Sequence, residues 1–218
     1  MEMPPQALLL DIDGTLVDNT AQHLAAWRDA LAALGCRADD ETLRAQIGKG
    51  GDLFVKAVAG EDWDREHGDA CRRLHSENYR RRMPEVGPIP EVERFLREAR
   101  RRSLVLGLAS SSNPDEVGAN LAVIGEKVEN FPVVVDRDDI RTSKPAPDAF
   151  AVALKRTGLQ AASAVAIGDT RWDGEAAARL GTAFWAVLTG AGREVELSAA
   201  GASRVGATLA AFIPLLDD

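Results

Sequence analysis

Short apolar runs that stop abruptly at polar residues recur along the chain. Residues 7–10 (Ala-Leu-Leu-Leu) stop at Asp11, and 104–109 stop at Ser110. Residues 133–135 stop at Asp136, 164–167 at Gly168-Asp169, and 183–187 at Leu188-Thr189-Gly190. Near-continuous runs of this length suit strands buried on both faces of a parallel sheet; a sheet with one wet face would alternate. Between the runs lie stretches of helical period. Residues 91–102 carry Val92, Phe95, Leu96 and Ala99 on one face. Residues 114–124 follow Asn113 as N-cap, with Pro114 at the first helical position. Residues 146–157 and 173–180 are each followed by a glycine, Gly158 and Gly181, that suits a C-cap. Residues 204–216 are expected to close the chain as a helix. Strands alternating with helices predict an α/β protein with a doubly wound, Rossmann-like parallel-sheet core.

Residues 18–82 break this alternation, because no strand pattern occurs there. Leu24, Trp27, Leu31 and Leu34 form one apolar helix face. Leu43 with Ile47, then Leu53 and Phe54 with Val58, then Ala70 with Leu74, predict three further helices. A helical block directly after the first strand reads as an inserted, all-helical cap. The core is then residues 1–17 and 83–218, and the proline-rich stretch 83–90 is the return linker.

The chain of 218 residues carries 26 basic and 34 acidic side chains, a net charge of −8. That balance argues against binding nucleic acid or an anionic membrane surface, both of which need a basic face. It leaves room for a small anionic substrate, which responds to local charge. Cys36 and Cys71 are too few for a disulfide framework and read as reduced thiols. The first apolar run meets Asp11 at once, so it is neither a signal peptide nor a membrane span. A cytoplasmic protein, monomeric or weakly dimeric, is expected.

The most informative segment is Asp11-Ile12-Asp13-Gly14-Thr15-Leu16-Val17-Asp18. Two carboxylates two residues apart at a strand end point to the same side. Placing them together is unfavourable unless a cation or a shared proton relieves the repulsion. Gly14 permits a tight exit from the strand. Oxygen ligands of this kind favour a hard divalent cation, Mg²⁺.

This octapeptide resembles the first motif of the haloacid dehalogenase-like hydrolases, most of whose members are phosphatases. Three further segments resemble that family's motifs in order: Ser110 after the second strand, Lys144 within Ser143-Lys144-Pro145, and Gly168-Asp169-Thr170-Arg171-Trp172-Asp173. The helical block falls where the family carries its first type of cap. The resemblance implies that Asp11 is the nucleophile, forming an aspartyl-phosphate. It implies that Asp13 protonates the leaving oxygen and then activates water. Mg²⁺ would take the Asp11 and Asp169 side chains and the Asp13 backbone carbonyl, with Asp173 orienting the surroundings. Lys144 would counter the charge on Asp11 and on the transferring group. Ser110 would donate to a phosphate oxygen, joined by backbone N–H groups of Ile12, Asp13 and Ser111. The expected substrate is a small phosphorylated metabolite.

Weaker candidates lie in the helical block. His23 and Trp27, four apart on its first helix, could touch the substrate or steady a closed cap. Lys49 and Gly50, in a glycine-rich break between helices, suit a loop that reaches over an anion. The basic runs at 80–82 and 100–102 fall at helix C-termini, where cations suit the dipole. Two rival functions share parts of the pattern. A β-phosphoglucomutase-like phosphoryl transferase would share the His23 and Trp27 spacing. It would carry adjacent Glu-Asp in the acidic motif and an arginine in the cap loop, where this chain has Asp169 with Asp173 and Lys49. A receiver-like signalling module would share the Asp, Ser and Lys set but has no helical insertion.

Overall fold

The structure is a computed structural model in which residues 4–217 are described. The ends of the expected core, residues 1–3 and 218, lie outside them. Among the described residues, eight strands and nine α-helices follow in chain order: β1 (Ala7–Leu10), β2 (Val17–Asp18), α1 (Thr20–Ala33), α2 (Asp40–Arg44), α3 (Gly51–Ala59) and α4 (Glu61–Arg82). There follow β3 (Gly87–Pro88), α5 (Val92–Arg101), β4 (Val105–Ala109), α6 (Pro114–Val123), β5 (Val133–Val135) and α7 (Asp148–Thr157). The chain ends with β6 (Ala164–Gly168), α8 (Arg171–Leu180), β7 (Ala183–Val187), α9 (Glu194–Ala199) and β8 (Arg204–Gly206).

Six strands form one sheet in the order β5-β4-β1-β6-β7-β8, and every pairing is parallel. β1 sits at its centre, fully buried, as its unbroken apolar run requires. Its side chains alternate between two cores. Leu8 and Leu10 face a cluster with Phe95, Leu96, Val117 and Leu121 of α5 and α6. Ala7 and Leu9 face Phe150 and Ala153 of α7 and Ala176 and Ala177 of α8. Helices thus cover both faces, the doubly wound architecture the sequence predicts. The chain leaves β1 for β4 and β5 on one side and returns to β6 on the other, so a crevice opens at the carboxyl end of β1.

Helices α1–α4 lie between β2 and β3 and share a separate core around Trp27, Leu31, Leu43, Phe54 and Cys71. The stretch 83–90 is more structured than a linker. β3 pairs antiparallel with β2, so two short strands form the two-way passage between core and helical block. The expected terminal helix is corrected. Residues 204–206 are the edge strand β8, and Leu209–Leu216 is a 3₁₀ helix with Pro214 inside it. A proline lacks the N–H an α-helix needs, which explains the tighter form. No helix is long and apolar enough to cross a membrane among the described residues.

Candidate active site

Asp11 follows β1 directly and is buried. Lys144 comes from the long loop between β5 and α7 rather than from a strand end, and it is buried too. Its Nζ donates to Asp11 Oδ1 at 2.5 Å and pairs with Asp173 Oδ1 at 2.7 Å. Asp169, after β6, accepts from the Ala191 N–H at 2.8 Å and the Thr15 hydroxyl at 3.4 Å. Asp173 Oδ2 caps α8, accepting from the Thr170 N–H at 3.1 Å and hydroxyl at 2.5 Å. Carboxylate oxygens of Asp11, Asp169 and Asp173 all lie within 4.8 Å of one another.

Three buried carboxylates here face one ammonium. Burial raises Asp11 to about 7, reinforced by Asp173 and Asp13 and opposed by Lys144. Burial also lifts Asp169 well above the usual carboxylate range, with Asp173 and Asp11 adding to it. For Lys144, burial favours the neutral amine, but the charges of Asp11 and Asp173 prevail and raise it. The excess negative charge and the all-oxygen donor set fit a divalent cation. Two glycines clear space beside Asp169. A Cβ on Gly14 would lie 2.6 Å from Asp169 Oδ2, and one on Gly190 would lie 1.8 Å from it. Gly14 also has φ +74°, a conformation that other residues resist.

Asp13 occupies a different environment. It lies past the end of β1, so strand geometry does not set its direction as the sequence spacing suggested. Its Oδ1 accepts from Asn19 at 2.6 Å and Asn120 at 2.8 Å and lies 3.3 Å from His23 Nε2. Its Oδ2 accepts from Ser112 at 2.8 Å. Burial alone would raise this carboxyl, but the charge of His23 and these hydrogen bonds hold it well below the usual carboxylate range. His23 in turn is raised, because Asp13 outweighs the effect of its own burial. Its Nδ1 lies 3.2 Å from Nε2 of His75, whose pKa burial and then His23 push well down. The two rings thus share one hydrogen bond, with opposite shifts that favour the proton on the His23 side. Phe54, Trp27, His75, His23 and Tyr79 stack in succession, with centroid spacings of 4.3, 3.8, 5.3 and 4.0 Å.

Between core and helical block lies a cavity of ≈ 140 Å³, lined by Asp11, Asp13, Ser111 and Ser112 on one side and by Trp27, Lys49 and His75 on the other. Ser111 Oγ is buried without a partner. Ser110 is fully buried beneath it, its Oγ accepting from the Ser112 N–H at 3.0 Å. Ile12 is buried as well. Lys49 lines the cavity, but its Nζ donates to Gln46 at 2.7 Å and lies 4.1 Å from the Trp172 ring centre. Arg171 lies over the same ring at 3.9 Å, so Trp172 takes two cations. Gly50 packs so closely on the core that a Cβ there would fall 2.0 Å from Ser143 Oγ. Gly51 and Asp52, directly after the glycine-rich break, open α3.

A match to the haloacid dehalogenase-like hydrolase model spans residues 8–187. The chain belongs to that family. Among its relatives this hydrolase is 30% identical to fructose-1-phosphate phosphatase YqaB of Escherichia coli, over 80% of this chain and 92% of that one. It is 29% identical to a phosphoglycolate phosphatase of Yersinia pestis, over 77% of this chain and 74% of that one. A hydrolase from Pseudomonas syringae superposes with a TM-score of 0.92 at 29% identity, covering 97% of this chain and 98% of that one.

Several residues of the hydrolase's site gave no signal in the sequence. Asn19 stands as N-cap of α1 but makes no capping bond. Its side chain serves Asp13 and Tyr79 and accepts from the Gly14 N–H. Asn120, His75 and Tyr79 lie far from any motif and meet Asp13 or its partners only through folding. Thr15 and Ser112, each beside a motif residue, could have been reached by asking which hydroxyls flank the acids.

Proposed function

We propose that this hydrolase is a Mg²⁺-dependent phosphatase of small phosphate monoesters, working through an aspartyl-phosphate on Asp11 beneath a helical cap formed by residues 18–82. The observation that carries this reading is the buried triad of Asp11, Asp169 and Asp173, which among the described residues is balanced by Lys144 alone. Asp11 and Asp169, with the Asp13 carbonyl, would hold the cation, which supplies charge neutralisation for an incoming phosphate dianion.

The chain's own groups divide the work. Asp11, kept in place by Lys144, presents an oxygen to phosphorus at the floor of the cavity. Ser111 Oγ, buried and unpartnered, is a donor for a phosphate oxygen, with Ser110 beneath it and the backbone N–H groups of Ile12, Asp13 and Ser111 as further donors. As the phosphorus–ester oxygen bond breaks, Asp13 passes to the leaving oxygen the proton it shares with His23. The Asp13–His23 pair, 3.3 Å apart, holds that proton. Asp13 then accepts a proton from the water that hydrolyses the acyl phosphate, releasing inorganic phosphate and restoring Asp11. Acid–base assistance of this kind contributes about 10²–10⁴-fold. Docking of Gly50 and Asp52 against Ser143 supports a cap that closes over the site and excludes water.

The deciding experiment measures phosphate release from a panel of phosphate esters with Mg²⁺ and with chelator. Turnover that needs the metal and disappears in Asp11→Asn is expected. No release from any ester would remove the reading.

A further inference from the structure

Resting on the phosphatase reading, we propose that the part of the cavity lining formed by Thr20, Glu116 and Arg137 is a subsite for a neutral, hydroxyl-bearing tail, with Glu116 as the residue that selects it. The substrate class is then a polyol or sugar phosphate rather than a phosphorylated acid or amine.

Hydrogen-bonding capacity is left unused in the cavity. Besides Ser111 Oγ, two side-chain oxygens of cavity-lining residues are buried with no hydrogen-bond partner: Thr20 Oγ1 and Glu116 Oε1. They come from different elements, the first residue of α1 and the first turn of α6. A buried polar atom without a partner is unfavourable, so such atoms mark places where a ligand is expected to supply one. Ser111 answers to the phosphate. Thr20 has no such role in the transfer chemistry, and Glu116 enters it only through its charge, which helps raise His23.

Arg137 completes the set. Its N–H donates to the Ser112 carbonyl at 2.9 Å, which fixes the backbone beside the phosphate-facing serines. Arg137 lines the same cavity, and its side chain makes no hydrogen bond or ion pair among the described residues. The other cations there are committed. Arg72 is held by Asp64 at 2.6 Å and Asp69 at 2.9 Å, and Lys49 by Gln46 and Trp172.

The wall thus offers one group that only accepts, one that only donates, and one that does both. A carboxylate accepts, a guanidinium donates, and a threonine hydroxyl does either. A carboxylate or second phosphate on the substrate would satisfy Arg137 but bring no proton to Glu116 and set like charges together. An ammonium would satisfy Glu116 but give Arg137 nothing to donate to. An apolar tail would leave all three unsatisfied. Hydroxyl groups donate and accept, so a polyhydroxylated tail meets the whole set.

The test compares kcat/KM for a hexose phosphate, phosphoglycolate, phosphoethanolamine and phenyl phosphate, using the full chain with Mg²⁺. The wild type is expected to favour the hexose phosphate over phosphoglycolate and phosphoethanolamine by roughly tenfold or more, the scale of one unmet buried polar group. Glu116→Gln, which adds an N–H donor, should cut the hexose-to-phosphoglycolate ratio about tenfold. Thr20→Val should lower hexose phosphate turnover relative to phenyl phosphate, and it carries the test if Glu116→Gln does not fold. A wild type that prefers phosphoglycolate or phosphoethanolamine, or a ratio unmoved by both substitutions, overturns the subsite. Turnover of phenyl phosphate without tail preference sinks the subsite alone, whereas no turnover of any ester sinks the phosphatase reading beneath it.

Discussion

Asp52, at the start of α3, accepts two hydrogen bonds from Ser143: from its hydroxyl at 2.5 Å and its N–H at 3.3 Å. Ser143 is the neighbour of Lys144, which holds Asp11. The clasp therefore ties the helical block to the residue that steadies the proposed nucleophile. Asp52→Ala is expected to lower kcat/KM on the order of tenfold, the scale of losing charge-assisted hydrogen bonds, with a smaller loss in Asp52→Asn. Steady-state kinetics on both variants check this, and equal, wild-type-like rates would release the clasp from any part in turnover.

His75 makes no hydrogen bond to the buried acids or to Asp13, yet its Nε2 lies 3.2 Å from His23 Nδ1 and its ring stacks on Trp27. His75→Ala should free the His23 ring from its fixed orientation beside Asp13. The expected result is a fall in kcat of about 10²-fold, within the range of acid–base catalysis, with KM nearly unchanged. A displaced pH–rate profile should accompany it. A fall in thermal stability with kinetics intact would make His75 a packing residue only.

Without a bound cation, Asp11 is raised to about 7. A metal ligand must be deprotonated, so protons compete with the cation below that pH. The sign is fixed: affinity for Mg²⁺ weakens as pH falls from 8 to 5.5 and recovers on returning. Calorimetric titration with MgCl₂ at the two pH values measures it. Equal affinity at both would show that Asp11 is not a ligand.

Burial pushes the Cys71 thiol up from 9.0 to about 11. Thiolate is the reactive form, so Cys71 should resist alkylation at pH 8 in the folded protein, whereas Cys36 is only half-buried. The folded state holds the proton longer than the unfolded chain does. The stabilisation is complete below pH 9 and is lost as pH rises through 11. Mass mapping of alkylated peptides decides the first point, since preferential labelling of Cys71 would contradict it.

The core was legible because each buried strand announces itself as a short apolar run that soon meets polar residues or glycine. The terminal segment was not. Leu209, Phe212, Ile213 and Leu216 keep a helical spacing that matches an α-helix until Pro214 is weighed, and the short edge strand before them has no run at all. At the site, Asp11, Asp13, Lys144, Asp169 and Asp173 stand in motifs and could be named. Asn19, Asn120, His75 and Tyr79 could not, since their roles arise from tertiary proximity across as many as 107 positions. Glu116 was hidden for another reason. An acid in the first turn of a helix already has an ordinary explanation in the dipole, and only its unpartnered oxygen separates the two cases.

Trp172 belongs to α8 of the core, yet one of the two cations over its indole, Lys49, comes from the helical block. Separation of the two bodies would strip that charge from the ring and wet it. With Trp27, Trp63 and Trp185 replaced by phenylalanine, the emission of Trp172 would then report such an opening without any attached dye.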